Sequence, residues 1–326
     1  MRVDRLRRRE FITLLGGAAA GWPLAARAQQ PAMPVVGVLR INPKDVEAFA
    51  EPFRRYMKEL GWEEGRNVVF QFLWASGRNE QLPVLARELV ARKVDLIITF
   101  GNPAVQAVQR VTTIIPIVGM TDDMVGAGLA ASMARPGGNT TGVSILATEL
   151  DVKRHELLHE FAPQARRIAV LADPTMFKSR PQLENASRVF GVDLSIFTAQ
   201  NRDEIGRALD AMAGAHIEAV NILASPVLNA ARAFIIDRLR QMRLPSIFEW
   251  PESAEDGGLL GYGPRLLLMY RQVAGLVDKV LRGAAPRDLP IEQPTKFELV
   301  INLKTAQAIG LTIPPALQLR ADKVIE

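Results

Sequence analysis

Cysteine is absent from this sequence of 326 residues. The chain therefore forms no disulfide bond, and its stability has to come from its hydrophobic core. The same absence excludes catalysis by a thiol nucleophile. It also excludes attachment of a lipid anchor to a cysteine after export. Aromatic residues are also scarce, at 6% of the sequence. The large rings are scattered along the chain, among them Trp74, Trp250 and Tyr262.

Long apolar runs and the common catalytic motifs are missing as well. After the N-terminal segment, no stretch reaches the roughly 20 apolar residues that a membrane-spanning helix needs. The sequence has neither a P-loop nor the Gly-x-Ser-x-Gly motif of serine hydrolases. These absences exclude the usual signatures of nucleotide hydrolysis and of serine-dependent acyl transfer.

The first 28 residues have the three parts of a secretory signal. Two arginines, Arg8 and Arg9, precede Phe11 and Ile12, a weakly apolar run covers residues 13–26, and Ala26-Arg27-Ala28 is a typical cleavage site. The paired arginines predict the twin-arginine export route. The alternative, a membrane anchor, is disfavoured because the run is too short to span a bilayer. We expect a mature chain that begins near Gln29 and is free in the periplasm.

Most of the excess positive charge belongs to this predicted signal. The whole sequence has 40 basic and 35 acidic residues and a pI of about 9.7. Six arginines and two acidic residues lie within residues 1–28, so 34 basic and 33 acidic residues remain in the expected mature chain. A strongly basic chain would indicate a nucleic-acid partner, and the near-neutral mature chain does not.

Strand-like and helix-like patterns alternate along the rest of the chain. Short apolar runs are separated by segments whose apolar residues recur at helical spacing, which predicts parallel sheets covered by helices on both faces. The runs predicted as strands are residues 35–39, 68–74, 95–100, 114–118, 168–172, 192–197, 219–224 and 246–248.

The alternation runs twice, which predicts an α/β protein of two doubly wound lobes joined by a hinge. A Gly-rich joint, Arg135-Pro136-Gly137-Gly138-Asn139, separates the two runs, and a second Gly-rich stretch at residues 257–263 predicts a return crossing. We therefore assign one lobe to residues 34–141 plus 263–290. The other lobe is assigned to residues 142–262 plus 291–326.

Short polar residues follow several of the predicted strands. Ligands of doubly wound sheets bind beyond the carboxyl ends of the strands, near helix N-termini, so these residues are candidates for binding a small solute. Each of them is equally well explained as a helix cap or turn former. Trp250, which follows the last of these strands, is either a ring at the cleft or a core aromatic. The strand-end candidates are Asn42, Asn102, Asp123, Asp173 and Ser225.

Several longer motifs resemble one known family. They include Gly65-Arg66-Asn67-Val68, Val125-Gly126-Ala127-Gly128-Leu129, and Ala134 to Asn139 followed by Thr141-Gly142-Val143-Ser144. The most specific part is the run Gln293-Pro294-Thr295-Lys296-Phe297-Glu298-Leu299-Val300-Ile301-Asn302 with Gly310-Leu311-Thr312-Ile313-Pro314-Pro315. Together they resemble the substrate-binding proteins of ABC transporters, a family that includes tryptophan- and tyrosine-uptake proteins. The resemblance covers essentially the whole mature chain.

The resemblance implies the type I periplasmic-binding fold, no catalysis and no cofactor. It also implies an amino acid or a similar small ligand between the lobes, an ABC permease in the inner membrane as partner, and no nucleic acid. We expect a monomer. Four stretches at the predicted cleft depart from the family pattern and bear on the ligand. They are Asp122-Asp123-Met124, Asp173-Pro174, Ala224-Ser225-Pro226 and Phe248-Glu249-Trp250-Pro251.

An amino acid held between two lobes needs partners for both of its charges. We predict that Asp123 and Asp173, one from each lobe, together bind the ammonium group. Asn102 and Ser144, with backbone N–H groups, are expected to meet the carboxylate. The predicted ligand-binding residues are thus Asn42, Asn102, Asp123, Ser144, Asp173, Ser225 and Trp250.

His155-Glu156-Leu157-Leu158-His159 matches the His-Glu-x-x-His signature of zinc proteases. Helical geometry places both histidines away from the apolar face, which predicts that they lie on the solvent side. A catalytic zinc also needs a third protein ligand, and the remaining histidine, His216, is in another unit. A zinc hydrolase is therefore the weakest of three interpretations. The others are a solute-binding protein of an importer and a binding protein that presents its ligand to a sensory receptor.

Overall fold

The computed structural model describes residues 33–41 and 43–326. The predicted export signal and Asn42 lie outside the described residues. Within the described residues, no helix combines the length and the hydropathy that crossing a bilayer requires.

The first sheet consists, in the described part of the chain, of five parallel strands in the order β2-β1-β3-β4-β5. Its central strands are buried apolar runs, as expected for a parallel sheet with helices on both faces. The elements are β1 (Val35–Arg40), α1 (Pro43–Glu59), β2 (Val69–Trp74), α2 (Leu82–Ala91), β3 (Leu96–Phe100), α3 (Asn102–Gln109), β4 (Ile117–Thr121) and β5 (Thr140–Ser144).

The second sheet has the order β12-β11-β10-β9-β8-β6-β7 and is parallel except where β11 runs antiparallel to β10. Its first elements are α4 (Ala147–Phe161), β6 (Arg167–Ala172), α5 (Arg180–Phe190), β7 (Asp193–Thr198), α6 (Arg202–Gly214), β8 (Ala219–Ile222), α7 (Pro226–Ala230), α8 (Arg232–Gln241) and β9 (Ser246–Phe248). They are followed by α9 (Pro251–Glu255), β10 (Leu260–Gly263), α10 (Leu266–Leu281), β11 (Glu298–Asn302), α11 (Leu303–Ile309), α12 (Pro315–Gln318) and β12 (Lys323–Ile325).

The two sheets repeat one strand order. The run β2-β1-β3-β4-β5 of the first sheet corresponds to β7-β6-β8-β9-β10 of the second. In each lobe the chain passes from the first strand to a neighbour on one side, β2 or β7, and then crosses to the other side, to β3 or β8. This reversal opens a crevice between β1 and β3 and between β6 and β8. Such switch points are where doubly wound sheets bind ligands. The predicted architecture of two doubly wound lobes is confirmed.

The helix α10 belongs to the first sheet although it follows the second sheet in the sequence. It packs against α1, β4 and β5. Tyr270, Val273 and Val277 of α10 share one buried core with Phe49 and Phe53 of α1. The chain therefore passes between the lobes from β5 to α4, from β10 to α10, and again between α10 and β11.

Some predicted boundaries differ from the structure. The Gly-rich segment 135–139 lies in the loop before β5, and because β5 pairs with β4, the first crossing follows Ser144 rather than residue 141. The fourth strand begins at Ile117, three residues later than predicted, because Thr112 accepts hydrogen bonds from the backbone of Ile114 and Ile115 and shapes a turn there.

Candidate ligand-binding site

A cavity lies between the lobes where the two switch points face each other. Its volume is about 50 Å³, which is room for several waters or a small solute. Residues from the carboxyl ends of β1, β3, β4, β8 and β9 and from α10 form its wall. The wall includes Arg40, Phe100, Gly101, Met120, Thr121, Asp122, Ile145, Met176, Ala224, Ser225, Pro226, Asn229, Glu249, Trp250, Leu266 and Tyr270.

The lobes are closed around this cavity. Gly101, in the first lobe, has a φ of +83°, and a Cβ atom built on it would lie 3.0 Å from Cγ of Pro226 in the second lobe. Lys178 also donates a hydrogen bond across the cleft from Nζ to the Gly126 carbonyl oxygen, at 3.2 Å. Gly101 is therefore required both by its backbone conformation and by the close approach of the lobes.

Three aromatic rings form the apolar part of the wall. Phe100 ends β3, Tyr270 is on α10, and Trp250 precedes α9 and is only 4% exposed. The rings of Phe100 and Tyr270 pack edge to face, with centroids 6.2 Å apart. Such rings suit an apolar or aromatic side chain of a bound solute.

Arg40 places a positive charge in the wall. It is the last residue of β1, is 5% exposed, and holds its guanidinium carbon 3.8 Å from the centroid of the Phe100 ring. Sequence reasoning missed this residue. The available signal was a charged side chain directly after the apolar run 35–39, since arginine is seldom buried without a specific role.

Asp122 is the acidic residue that the first lobe presents to the cavity. Its carboxylate accepts hydrogen bonds from the Thr148 backbone N–H at 2.9 Å and from the Thr148 hydroxyl at 2.8 Å. Thr148 lies in the first turn of α4, so Asp122 ties the end of β4 to the first helix of the other lobe. A carboxylate oxygen accepts more than one hydrogen bond, and Asp122 thus retains acceptor capacity.

Glu249 is the acidic residue that the second lobe presents. It is 7% exposed, and within the described residues its Oε2 atom has no hydrogen-bond partner. Burial raises the pKa of Glu249 to about 8, while the charge of Arg154, the Trp250 side chain and the Ser225 backbone act to lower it. Burial thus favours the protonated form of its carboxyl group.

A buried ion pair lies near Glu249, on α4. Arg154 donates to the Asp151 carboxylate at 2.5 Å and to the Tyr262 carbonyl oxygen at 3.1 Å, and Ser179 donates to Asp151 at 2.7 Å. Burial raises the pKa of Asp151 to about 6, although Arg154 and Ser179 lower it. Arg154 thus joins α4 to β10. The first crossing between the lobes leads into α4, and the second crossing leaves from β10.

Of the predicted site residues, Ser225 and Trp250 line the cavity. The Ser225 hydroxyl accepts hydrogen bonds from the first backbone N–H groups of α7 and donates to the Asp173 carboxylate at 3.0 Å. Asp173 is buried behind Ser225, and its other oxygen accepts from the backbone and hydroxyl of Thr175.

Asn102, Asp123 and Ser144 are not among the residues that line the cavity. Asp123 accepts a hydrogen bond from the Gly126 backbone at 2.8 Å and closes a turn, and its predicted pairing with Asp173 around an ammonium group stays a prediction. Ser144 accepts from the Met124 backbone at 3.0 Å. Asn102 is buried in the first turn of α3. The residue at the cap position of this helix is Gly101 and not Asn102.

The histidines of the His-Glu-x-x-His segment are not on the solvent side, contrary to our prediction. His155 is fully buried, and its Nε2 shares a hydrogen bond of 2.9 Å with the Ser187 hydroxyl of α5. The His159 ring stacks on Phe190 of the same helix, with centroids 4.8 Å apart. The face of α4 that points away from the second sheet is thus covered by α5. Among the described residues, no cluster of three or more His, Cys, Asp or Glu side chains is arranged to hold a metal ion.

A cavity between two doubly wound lobes, at their facing switch points, defines a two-lobed solute-binding protein. The chain belongs to the family described as "ABC transporter substrate binding protein", whose model it matches over residues 41–325. The predicted family and the predicted solute-binding class are confirmed.

The known relatives agree with this assignment. The "Tyrosine-binding protein" of Clostridioides difficile (strain R20291) is 25% identical over 267 residues, which cover 79% of this chain and 75% of that protein. A conserved domain protein of Vibrio cholerae O1 biovar El Tor is 26% identical, with a TM-score of 0.82 over 90% of this chain and 99% of that one.

A Streptococcus pneumoniae ABC domain in complex with L-Trp has the same fold. It is 23% identical, with a TM-score of 0.79 over 90% of this chain and 100% of that one. These similarities confirm the predicted type I periplasmic-binding fold.

Proposed function

We propose that this protein captures an amino acid in the cavity between its lobes and delivers it to an ABC importer, without catalysing a reaction. The observation that carries the proposal is the composition of the cavity wall. One guanidinium, from Arg40, and two carboxyl groups, from Asp122 and Glu249, lie in the same small cavity as three aromatic rings. A zwitterion with an apolar side chain offers a partner to each of these groups.

The two ends of the amino acid have distinct partners in this proposal. The Arg40 guanidinium binds the carboxylate, because its planar N–H groups match the two oxygens. The carboxyl groups of Asp122 and Glu249 are the acceptors for the ammonium group. Phe100, Trp250 and Tyr270 surround the side chain, and the tyrosine and L-Trp named for two relatives support an aromatic side chain.

The compartment and the partner are part of the proposal. A twin-arginine signal at residues 1–28 would deliver the chain to the periplasm, and the closed lobes would be the form that an inner-membrane permease recognises. Cell fractionation checks the compartment. The wild-type chain is expected in the periplasmic fraction, and an Arg8→Lys/Arg9→Lys double variant is expected to remain inside the cell.

Titration calorimetry with a panel of amino acids that includes L-tryptophan and L-tyrosine tests the ligand class. At least one amino acid is expected to bind with a stoichiometry of one. Arg40→Gln is expected to weaken it thirtyfold or more, since losing one partner of a buried charge pair costs about 2–5 kcal/mol. Arg92→Gln, which removes an exposed arginine next to α2, is the control and is expected to bind as the wild type does. Failure of every amino acid to bind would disprove the proposal.

A further inference from the structure

Glu249 differs from Asp122, the other carboxyl group of the cavity wall, because its own carboxyl group lacks a full set of partners. Asp122 has hydrogen bonds to both carboxylate oxygens. The Oε2 atom of Glu249 is buried, and the described residues offer it no hydrogen-bond partner. A buried polar atom without a partner costs free energy, so its retention in a ligand cavity indicates that a ligand supplies the missing contact.

The backbone around Glu249 fixes where this carboxyl group lies. A Cβ atom built on Gly263 of β10 would lie 2.1 Å from the Glu249 carbonyl oxygen, so the ends of the two strands approach as closely as glycine allows. The next residue, Trp250, is itself packed in the core of the first lobe. Glu249 is therefore held in place between the lobes rather than free to turn toward solvent.

The charges around Glu249 do not compensate for its ionisation. The nearby cation Arg154 is already paired with Asp151, and Arg232 is paired with Asp256 at 2.6 Å. Arg40 and Asp122 carry opposite charges in the cavity wall, so ionised Glu249 would give this wall a net negative charge. The charged and titratable groups that face Glu249 or line a cavity with it are Arg40, Asp122, Asp151, Arg154, Arg232 and Tyr270.

We propose that Glu249 selects ligands that carry an ammonium group, and that it releases its proton to solvent when that group binds. In the empty cavity the group is a neutral carboxylic acid. Binding replaces it with a carboxylate that accepts hydrogen bonds from the ammonium group, and the displaced proton passes to the buffer. This inference rests on the proposed capture of an amino acid and adds the residue and the proton balance on which its selectivity depends.

The proton balance makes binding depend on pH. Because the pKa of Glu249 is raised to about 8 in the empty protein, close to one proton per bound amino acid is released at pH 7. Affinity is expected to rise by up to about tenfold per pH unit from pH 6 toward pH 8, and to level off above pH 8. A ligand without an ammonium group gains nothing from this ionisation.

The test is calorimetry of L-tryptophan, L-tyrosine and the other amino acids of the panel in buffers of different ionisation enthalpy at pH 7. The dependence of the binding enthalpy on the buffer gives the number of protons released. Indole-3-propionate and 3-(4-hydroxyphenyl)propionate, which lack the ammonium group, are the comparison ligands. Wild type is expected to release close to one proton with the amino acid and to bind the comparison ligands at least thirtyfold more weakly.

Two variants test whether the proton released on binding comes from Glu249. Glu249→Gln is expected to bind the amino acid at least thirtyfold more weakly, with no proton release and no rise in affinity with pH. A melting curve shows that the variant is folded. Glu252→Gln is the matched control, because Glu252 also has a pKa raised by burial, but it caps α10 through the Leu266 N–H at 3.0 Å. This control is expected to release the same proton as the wild type.

The outcomes separate this inference from the proposed function. Binding of an amino acid without proton release, or with the same release in Glu249→Gln, would overturn the role of Glu249 and leave amino-acid capture intact. Tighter binding of the comparison acids without proton release would also overturn it, because Glu249 would then keep its proton and donate it in a hydrogen bond to a carboxylate. If no amino acid binds, the proposed function and this inference fail together.

Discussion

At the scale of single residues, Gly101 links backbone conformation to closure of the lobes. We predict that Gly101→Ala lowers both stability and ligand affinity, because its φ of +83° is unfavourable for alanine and its Cβ would press on Pro226 only when the lobes are closed. Gly128→Ala is the matched control, since Gly128 has a φ of +70° and no atom within 4 Å of its Cβ position.

Gly128→Ala is expected to lose about 1 kcal/mol of unfolding free energy, measured by denaturant titration. Gly101→Ala is expected to lose more, because its φ of +83° and ψ of 148° lie in a region that is essentially restricted to glycine. Calorimetry with an amino acid that binds the wild type is expected to show weaker binding for Gly101→Ala alone. Equal affinities in the two variants would mean that the contact with Pro226 does not limit closure.

The sequence located the loops around the cavity better than the side chains that line it. It placed Ser225 and Trp250 at strand ends, and both line the cavity. It favoured Asp123 over its neighbour Asp122, because the sequence of a loop does not show which of two adjacent carboxylates closes a turn. Glu249 stands out in the sequence only as part of a departure from the family pattern. Its proposed role depends on burial and on an Oε2 atom that has no hydrogen-bond partner among the described residues, and neither property is visible in one sequence.

At the scale of elements, α4 shows where periodicity misleads. Leu157, Leu158 and Phe161 face the second sheet, as their spacing predicts. The opposite face, which carries His155 and His159, was predicted to be exposed. That face is instead covered by neighbouring elements, and the Ser187 hydroxyl of α5 meets the His155 ring. Helical periodicity identifies the apolar face but does not show whether a second layer covers the polar one.

The structure therefore reverses the expectation for His155. We predict that His155→Ala costs about 2–4 kcal/mol of unfolding free energy, through the cavity it leaves and the lost hydrogen bond with Ser187. Denaturant titration measures this cost. His216→Asn is the control, because His216 is exposed and its φ of +52° is tolerated by asparagine. A loss in His155→Ala no larger than in the control would contradict the structural role of this histidine.

The same histidine gives a pH dependence of stability. Burial, with a smaller effect of His159, lowers the pKa of His155 to about 4 from its ordinary value of 6.5. A lowered pKa means that its contribution to stability is fully present above pH 6.5 and is lost as the pH falls toward 4. The wild type should lose more stability over this interval than His155→Ala does. Parallel pH profiles for the two proteins would show that the pKa of His155 is the same in the folded and the unfolded chain, which would contradict the lowered pKa.

The order of strands and helices was the most predictable part of the fold. Buried parallel strands are short apolar runs, and the spacing of the helices between them is clear, so both lobes could be drawn from the sequence. The assignment of α10 to the first lobe follows from its packing on α1. The place where β5 ends and the hinge begins was not visible, since the conspicuous glycines lie in the loop before β5 and not in the crossing itself.

At the scale of the whole molecule, closure brings polar groups of both lobes around one cavity, and buried apolar residues of the two lobes belong to one cluster. The Asp122–Thr148 hydrogen bonds and the Arg154–Tyr262 hydrogen bond lie beside the crossings, where opening moves atoms least. The Lys178–Gly126 hydrogen bond and the Gly101–Pro226 contact lie across the cleft, where opening separates them. A bound amino acid contacts both walls of the cavity only when the lobes are closed. Its affinity for the closed form is therefore higher than for the open form, and binding shifts the population toward the closed form.

We therefore predict that an amino acid that binds the wild type shortens the distance between the lobes at the outer edge of the cleft and narrows its distribution. Glu80 and Asp203 line opposite sides of this edge, and because the sequence has no cysteine, the double variant Glu80→Cys/Asp203→Cys carries a single pair of sites for spin labels. Pulsed electron paramagnetic resonance measures the distance between the labels. Without ligand the distribution is expected to be broad and to include longer distances, and saturating amino acid should narrow it to the distance of the closed form.

Glu59→Cys/Glu80→Cys, with both labels in the first lobe, is the control, and its distance distribution should not change when the amino acid is added. If the two labels across the cleft are equally close with and without ligand, the lobes are closed before binding, and the amino acid enters by a route other than hinge opening.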